Sequence, residues 1–178
     1  MTKLRRPLFQ VIGRSASQKN MDIVDKPTRS RMMSGIRGTN TAPERALRRT
    51  LHGLGLRFRL HGKLLPGKPD IVSRRYRALI YVHGCFWHRH TGCRFATTPK
   101  TREEFWRTKF EGNVRRDAKV RDEALRLGWR VATVWECSLR KPGQIEISAS
   151  AVMEWLKSGC QTLEIGAPIS EVIECSSA

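Results

Sequence analysis

Leu47, Leu51 and Leu54 repeat at the spacing of one helix face. Thr41-Ala42-Pro43-Glu44 in front of them has the form of a capping box with an early-turn proline, and Gly55 offers a stop, so a helix is expected between them. The period then shortens to two: Leu56-Arg57-Phe58-Arg59-Leu60 alternates as a half-buried strand does. A glycine- and proline-rich connection, Gly62 to Pro69, leads to Asp70-Ile71-Val72, a second short strand. Ala78-Leu79-Ile80-Tyr81-Val82 is apolar without a break, the pattern of a central strand covered on both faces. Beyond an irregular loop, Thr101-Arg102-Glu103-Glu104 repeats the capping-box form and opens a helical stretch carrying Phe105-Trp106. A second helical pattern passes through Val114, Ala118 and Leu125 and stops at Gly128. Trp129 to Trp135 reads as another strand, and a short helix over Ala149 to Lys157 precedes a loose acidic tail. This order predicts an α/β chain with a mixed sheet flanked by helices.

Charge divides the chain into parts. Residues 1–141 carry 33 Lys and Arg against 11 Asp and Glu, whereas residues 142–178 carry one Lys and five Glu. The whole chain has a formal charge of +18, more than solubility asks for, and a polyanion such as nucleic acid is the expected partner. Residues 1–27 show no sustained period and read as a basic, flexible arm. Residues 28–141 hold the chemistry, and residues 142–178 form a short helix with an acidic tail. In the entry segment Thr28 to Asn40, Arg29, Arg31 and Arg37 surround Met32-Met33 as a DNA-contacting stretch. No apolar run approaches bilayer length. The cysteines are odd in number, and several lie beside histidines or in strand patterns, which suits a reducing cytoplasm rather than a secreted disulfide framework.

The densest chemistry is Val82-His83-Gly84-Cys85-Phe86-Trp87-His88-Arg89-His90-Thr91-Gly92-Cys93. Cys85, His90 and Cys93 give three soft or borderline ligands on one loop, and a closed structural zinc site wants a fourth. Cys137, just past a strand, is the better candidate because it would staple the loop to a neighbouring strand end; His88 is the alternative. Asp70 at a strand start is a seat for Mg²⁺, which keeps most of its waters and uses one or two carboxylates with substrate phosphate. Glu44 and Asp117 are further acidic candidates, although a solvated carboxylate is the default at a helical position. A His88 not used by zinc could move a proton at a phosphate. Phe86 and Trp87 are consecutive, so in an extended segment they cannot both enter one core. An aromatic wedge into stacked bases is one use for them, with Trp106 as a third member; burial is the other.

The chain resembles the very short patch repair (Vsr) DNA mismatch endonucleases. The residues that carry this are Thr28-Arg29-Ser30-Arg31-Met32-Met33, Leu65-Pro66-Gly67-Lys68-Pro69-Asp70, His83-Gly84-Cys85-Phe86-Trp87-His88, Thr101 to Trp106, Asn113-Val114 with Asp117, and Gly128-Trp129-Arg130-Val131 through Trp135-Glu136-Cys137. The resemblance implies a restriction-endonuclease-like (PD-(D/E)XK-related) fold with a structural zinc. It implies Mg²⁺-dependent nicking of one strand 5′ to the thymine of a T·G mismatch. It assigns Mg²⁺ to Asp70, the general base to His88, and further catalytic-centre positions to His83, Asp117 and Glu44. Cys85, His90, Cys93 and Cys137 would hold Zn²⁺. Phe86, Trp87 and Trp106 would wedge beside the mismatch, met from the other groove by Met33. The partner would be duplex DNA with a T·G mismatch, bound by a monomer, with mismatch-repair proteins or a companion DNA cytosine methyltransferase as possible associates.

Val82 departs from the pattern, standing where well-known members have Thr, and offers only its backbone carbonyl near the metal. The zinc loop, His90-Thr91-Gly92-Cys93, is one residue longer than in some members. The arm and tail lie outside the resemblance. Two other functions compete with mismatch repair: a less selective nicking nuclease beside a restriction or defence system, and a catalytically inactive, zinc-stapled DNA-binding module.

Overall fold

The computed structural model describes residues 25, 27, 28, 31, 38–60, 62 and 64–167; Met33 and nearly all of the N-terminal arm lie outside them. Helix α1 (Ala42–Gly53) is followed by strands β1 (Ile71–Ser73) and β2 (Ala78–His83), then by a one-turn helix α2 (Cys85–His88). The long helix α3 (Glu103–Arg126) leads to β3 (Arg130–Trp135), a 3-10 turn (Glu136–Leu139), α4 (Pro142–Lys157) and β4 (Thr162–Ile165). The sheet order is β1-β2-β3-β4. β1 runs antiparallel to β2, while β2, β3 and β4 are mutually parallel, so the sheet is mixed as expected.

Alternation along the strands gives the sheet two faces. Ile71, Ile80, Ala132, Val134, Leu163 and Ile165 point to one side and bury Leu47 and Leu51 of α1 with Val152, Trp155 and Leu156 of α4. Val72, Leu79, Tyr81 and Val131 point to the other and meet Ala124, Val120 and Leu125 of α3. This is why β2 is apolar at every position before His83: it is covered on both sides.

Several elements differ from the expected ones. The period-two segment at 56–60 makes only a single bridge, Arg59 to Val72, because Leu56 is buried while Leu60 is exposed and the chain turns away. Leu54, expected on the buried stripe of α1, caps the helix and is also exposed. The capping box at Thr41 is reversed: the Glu44 carboxylate accepts the Asn40 N–H and the Thr41 hydroxyl, each at 2.7 Å. At Thr101 the capping-box pattern does not cap; Arg102 occupies that place with φ 56°, and one unbroken helix replaces the two patterns. Helix α4 begins seven residues before the expected Ala149, since Pro142 and Gly143, which resemble a turn in sequence, sit in its first turn.

Part of the stretch expected to be a loose tail is a strand. Leu163 and Ile165 are 2% and 1% exposed and flank the outward Glu164, so β4 is an integral edge strand. Leu163→Ala is expected to cost about 2–4 kcal/mol in denaturant unfolding, as for other buried leucines. A loss below about 1 kcal/mol would mean that β4 is not part of the cooperative core.

Candidate active site and metal centre

Parallel strands gather their C-terminal ends at one edge of the sheet, and the chemistry collects there. His83 closes β2 opposite Trp135 of β3, Cys85 and Cys137 follow within two residues of those ends, and Gly166 follows β4. Because β1 is antiparallel, its start lies at the same edge, which brings Asp70 alongside: its N–H donates to Ile80 O at 3.1 Å, and its Oδ2 accepts the Val82 N–H at 2.8 Å.

Ligand atoms of Cys85, His90, Cys93 and Cys137 lie within 4.8 Å of one another. His90 Nδ1 is 3.4 Å from Cys137 Sγ and 3.8 Å from Cys85 Sγ, separations suited to the edges of a tetrahedral thiolate–imidazole site. The Ala167 N–H donates to Cys137 Sγ at 3.2 Å, the kind of outer contact that steadies a ligating sulfur. The His90 ring stacks on Trp135 at 4.3 Å and 11°. A Cβ on Gly166 would stand 2.5 Å from His90 Cε1, so only glycine admits the imidazole here. Burial pushes the Cys85 and Cys137 thiols up, so holding them as thiolates requires a cation, and the S₃N donor set fits zinc.

A second cluster lies across the β2 end. His88 Nδ1 is 2.6 Å from Asp117 Oδ2 of α3. A carboxylate can only accept, so Nδ1 carries the hydrogen and Nε2 is the ring nitrogen left for the cavity. His83 stacks on His88 at 4.0 Å and 11°, and burial, reinforced by His88, lowers its pKa to about 4. His83 is therefore uncharged at neutral pH.

Asp70, Glu44, His83, His88 and Asp117 line one cavity of about 380 Å³, together with Lys68, Arg116 and Arg121. Burial, joined by the charge of Glu44, raises the Asp70 carboxyl to about 6. Asp70 and Glu44 offer oxygen donors, which suit Mg²⁺ rather than a soft metal, while His83, His88 and Asp117 form a mixed nitrogen and oxygen group beside them. The cavity wall is tight: Gly67 has φ 62°, and a Cβ there would lie 2.4 Å from Val120 Cγ1 of α3.

The aromatic residues meet one turn away. Helix α2 places Phe86 and Trp87 edge to face at 5.0 Å, and α3 brings Trp106 to 5.5 Å from Phe86 and Phe110 to 5.1 Å. Phe110 is buried, whereas Phe86, Trp87 and Trp106 are half-buried above it. Arg89 turns the chain out of α2 at φ 58°, donates to Thr97 O and the Thr98 hydroxyl, and lies 4.5 Å over the Phe110 ring.

Comparison with known proteins decides the family. The profile of the DNA mismatch endonuclease Vsr family matches residues 21–94. The DNA mismatch endonuclease Vsr of Escherichia coli is 45% identical over 136 residues, covering 76% of this chain and 85% of that protein. The chain belongs to the Vsr family. It is likewise similar to the Type II nicking enzyme V.XorIIP of Xanthomonas oryzae pv. oryzae, at 46% identity over 72% of this chain and 94% of that enzyme. The Type II nicking enzyme V.NmeAIP of Neisseria meningitidis is 39% identical over 67% of this chain and 84% of that enzyme. This Vsr-family chain is accordingly a DNA endonuclease.

The sequence-predicted site residues of the endonuclease fall into three groups on one sheet edge: four zinc-ligand candidates, five residues around the cavity, and three aromatic residues above it. Met33 alone lies outside the described residues. Phe86 and Trp87, expected to diverge, converge because they sit on a helical turn rather than an extended loop. Two working residues were missed. Asn113, 8% exposed, donates its amide to Trp87 O at 2.9 Å and ties the aromatic turn to α3. Arg48 is buried beside Glu44 and Asp70, and its signal was available in the Glu44/Arg48 spacing of four on a helix. Among the described residues no helix is long and apolar enough to cross a membrane.

Proposed function

We propose that the endonuclease nicks one strand of duplex DNA 5′ to the thymine of a T·G mismatch, using a divalent cation. The observation that carries this reading is a juxtaposition. The His88–Asp117 pair opens into the cavity that Asp70 lines, and Trp87, next to His88 in the same helical turn, packs with Phe86 and Trp106. Asp117 holds the Nδ1–H of His88 and aims Nε2 at the cavity, where it takes the proton of an attacking water. His83, kept neutral by burial, contributes a hydrogen-bonding nitrogen without charge. Asp70 and Glu44 supply carboxylate oxygen, and Asp70 would hold Mg²⁺, which when bound polarises the scissile phosphate and lowers the pKa of its waters. Phe86, Trp87 and Trp106 enter the base stack at the mismatch, where the unstacking cost is lowest. Cys85, His90, Cys93 and Cys137 hold zinc and fix α2 against β3. The enzyme acts in the cytoplasm as a monomer, since one nick needs one catalytic centre.

The test is strand-resolved cleavage of duplexes that differ only in one T·G or T·A pair, with and without Mg²⁺. Nicking next to the mismatched thymine, at least about a hundredfold faster than at T·A and only with Mg²⁺, is the expected result; a few kcal/mol of unstacking cost is ample for that ratio. Equal cutting of both duplexes would favour the second reading, a less selective nicking nuclease beside a restriction system. One observation favours that alternative: the Xanthomonas and Neisseria relatives are named Type II nicking enzymes.

A further inference from the structure

Arg48 sets a positive charge directly against Glu44 and Asp70, two of the carboxylates that line the cavity. Its guanidinium enters from α1, and the residue is only 7% exposed. It donates to Glu44 Oε2 at 2.9 Å and to Asn40 Oδ1 at 3.1 Å, and it stands 3.7 Å from Asp70 Oδ1. Its Nε–H has no hydrogen-bond partner among the described residues. A buried guanidinium with an unmet donor is costly, and its charge must be offset where it stands. Two carboxylates offset it, and both line the cavity, whose third carboxylate, Asp117, is paired with His88.

The charge balance has a consequence for the metal. With both carboxylates ionised, Glu44, Asp70 and Arg48 together carry one net negative charge. A divalent cation turns that into one net positive charge, which a single DNA phosphate cancels. Without Arg48 the two carboxylates alone would neutralise the cation, and no phosphate would be needed. We propose that Arg48 is a positioning residue that weakens cation binding in the free enzyme, so that the divalent ion and the DNA phosphate bind together. This inference rests on the reading that Asp70 holds the cation. Lys68, Arg116 and Arg121 line the same cavity and act in the same direction, but each is exposed, and solvent screens them more than it does Arg48.

Mn²⁺ binding to the full, zinc-loaded chain without DNA, measured by calorimetry in slightly alkaline buffer, tests the idea. Arg48→Met is expected to tighten Mn²⁺ binding by about tenfold or more, because a divalent ion feels the removed charge twice over. Arg48→Lys keeps the charge and is expected to stay near the wild-type value. Arg48→Gln is a second neutral variant that can still donate to Glu44, for use if the Met variant melts early. Glu44→Gln reads the same balance from the other side and is expected to weaken binding by about tenfold. A merely structural Arg48 would give folded neutral variants that bind Mn²⁺ equally or more weakly, and that result overturns the proposal. Asp70→Asn separates the two readings. If it leaves Mn²⁺ binding intact, the cation is not on Asp70. If binding depends on Asp70 yet does not tighten without Arg48, only the role of Arg48 fails.

Discussion

Asp70→Asn is expected to slow mismatch nicking by about a thousandfold or more at saturating Mg²⁺, the effect of losing several kcal/mol of metal-assisted stabilisation. The substitution removes one oxygen's charge and little else. Asp70 Oδ2 accepts the Val82 N–H at 2.8 Å, and the amide oxygen can keep that bond. The fold should not suffer. Burial already raises the carboxyl to about 6, above its value of 3.8 in an exposed chain. Such a group favours folding fully at low pH and loses that contribution as pH rises through about 6, so at neutral pH the ionised form is a burden that the amide lacks. The variant is therefore expected to melt no lower than wild type in metal-free buffer and to bind mismatched duplex with similar affinity. Single-turnover nicking, a thermal melt and a binding isotherm read the three parts separately. Near-normal nicking would remove Asp70 from the chemistry, whereas a collapsed melting temperature would make it a structural residue and leave its role in cleavage unmeasured by this variant.

Asp70 could be read from sequence because a lone carboxylate precedes a strand in a strongly basic stretch, and His83 because it ends an unbroken apolar run. Those signals are local. Cys137 was reachable because metal chemistry demands a fourth ligand, which turns a distant cysteine into a neighbour. The misses arose where local signals competed with packing. Leu56 to Leu60 alternates like a strand, but only Leu56 finds a core, and pairing stops at one bridge. Thr162 to Ile165 alternates over four residues, too few to stand out beside glutamates, and becomes a strand because β3 offers it an edge. Thr41 and Glu44 match a capping box, yet Glu44 is held by Arg48 and donors before the helix, a role set by the cavity rather than by the helix end. Gly166 carried no signal at all, since what it avoids is the ring of His90, 76 residues earlier in the chain.

Removing zinc from the Cys85, His90, Cys93 and Cys137 set, the site proposed for it, should have the largest effect on the fold. It is expected to cost about 5 kcal/mol or more, seen as a fall in Tm of roughly 10–20 °C for a chain of this size. The reason lies in what covers this end of the sheet. Cys85, Trp135 and Cys137 form a small core of their own, and among the described residues the partly buried hydrophobics packed against it are Cys93, Phe95 and Ala167. Too little apolar surface is buried there to hold residues 85–95 in place by itself. Cys85 also begins the turn that carries Phe86, Trp87 and His88, so loss of the metal should release the proposed wedge and the proposed base together. Nicking and mismatch discrimination are expected to fall in parallel, and amide exchange should rise first at residues 85–95 while α1 and α4 stay protected. Cys137→Ser should reproduce this without a chelator, because it removes the ligand that joins the loop to β3. Unchanged melting after metal loss, verified by elemental analysis, would mean that the thiols are buried packing residues. A lower Tm with His88 chemistry intact would instead show that the Asn113 amide bond to Trp87 O, rather than the metal, holds the aromatic turn to α3.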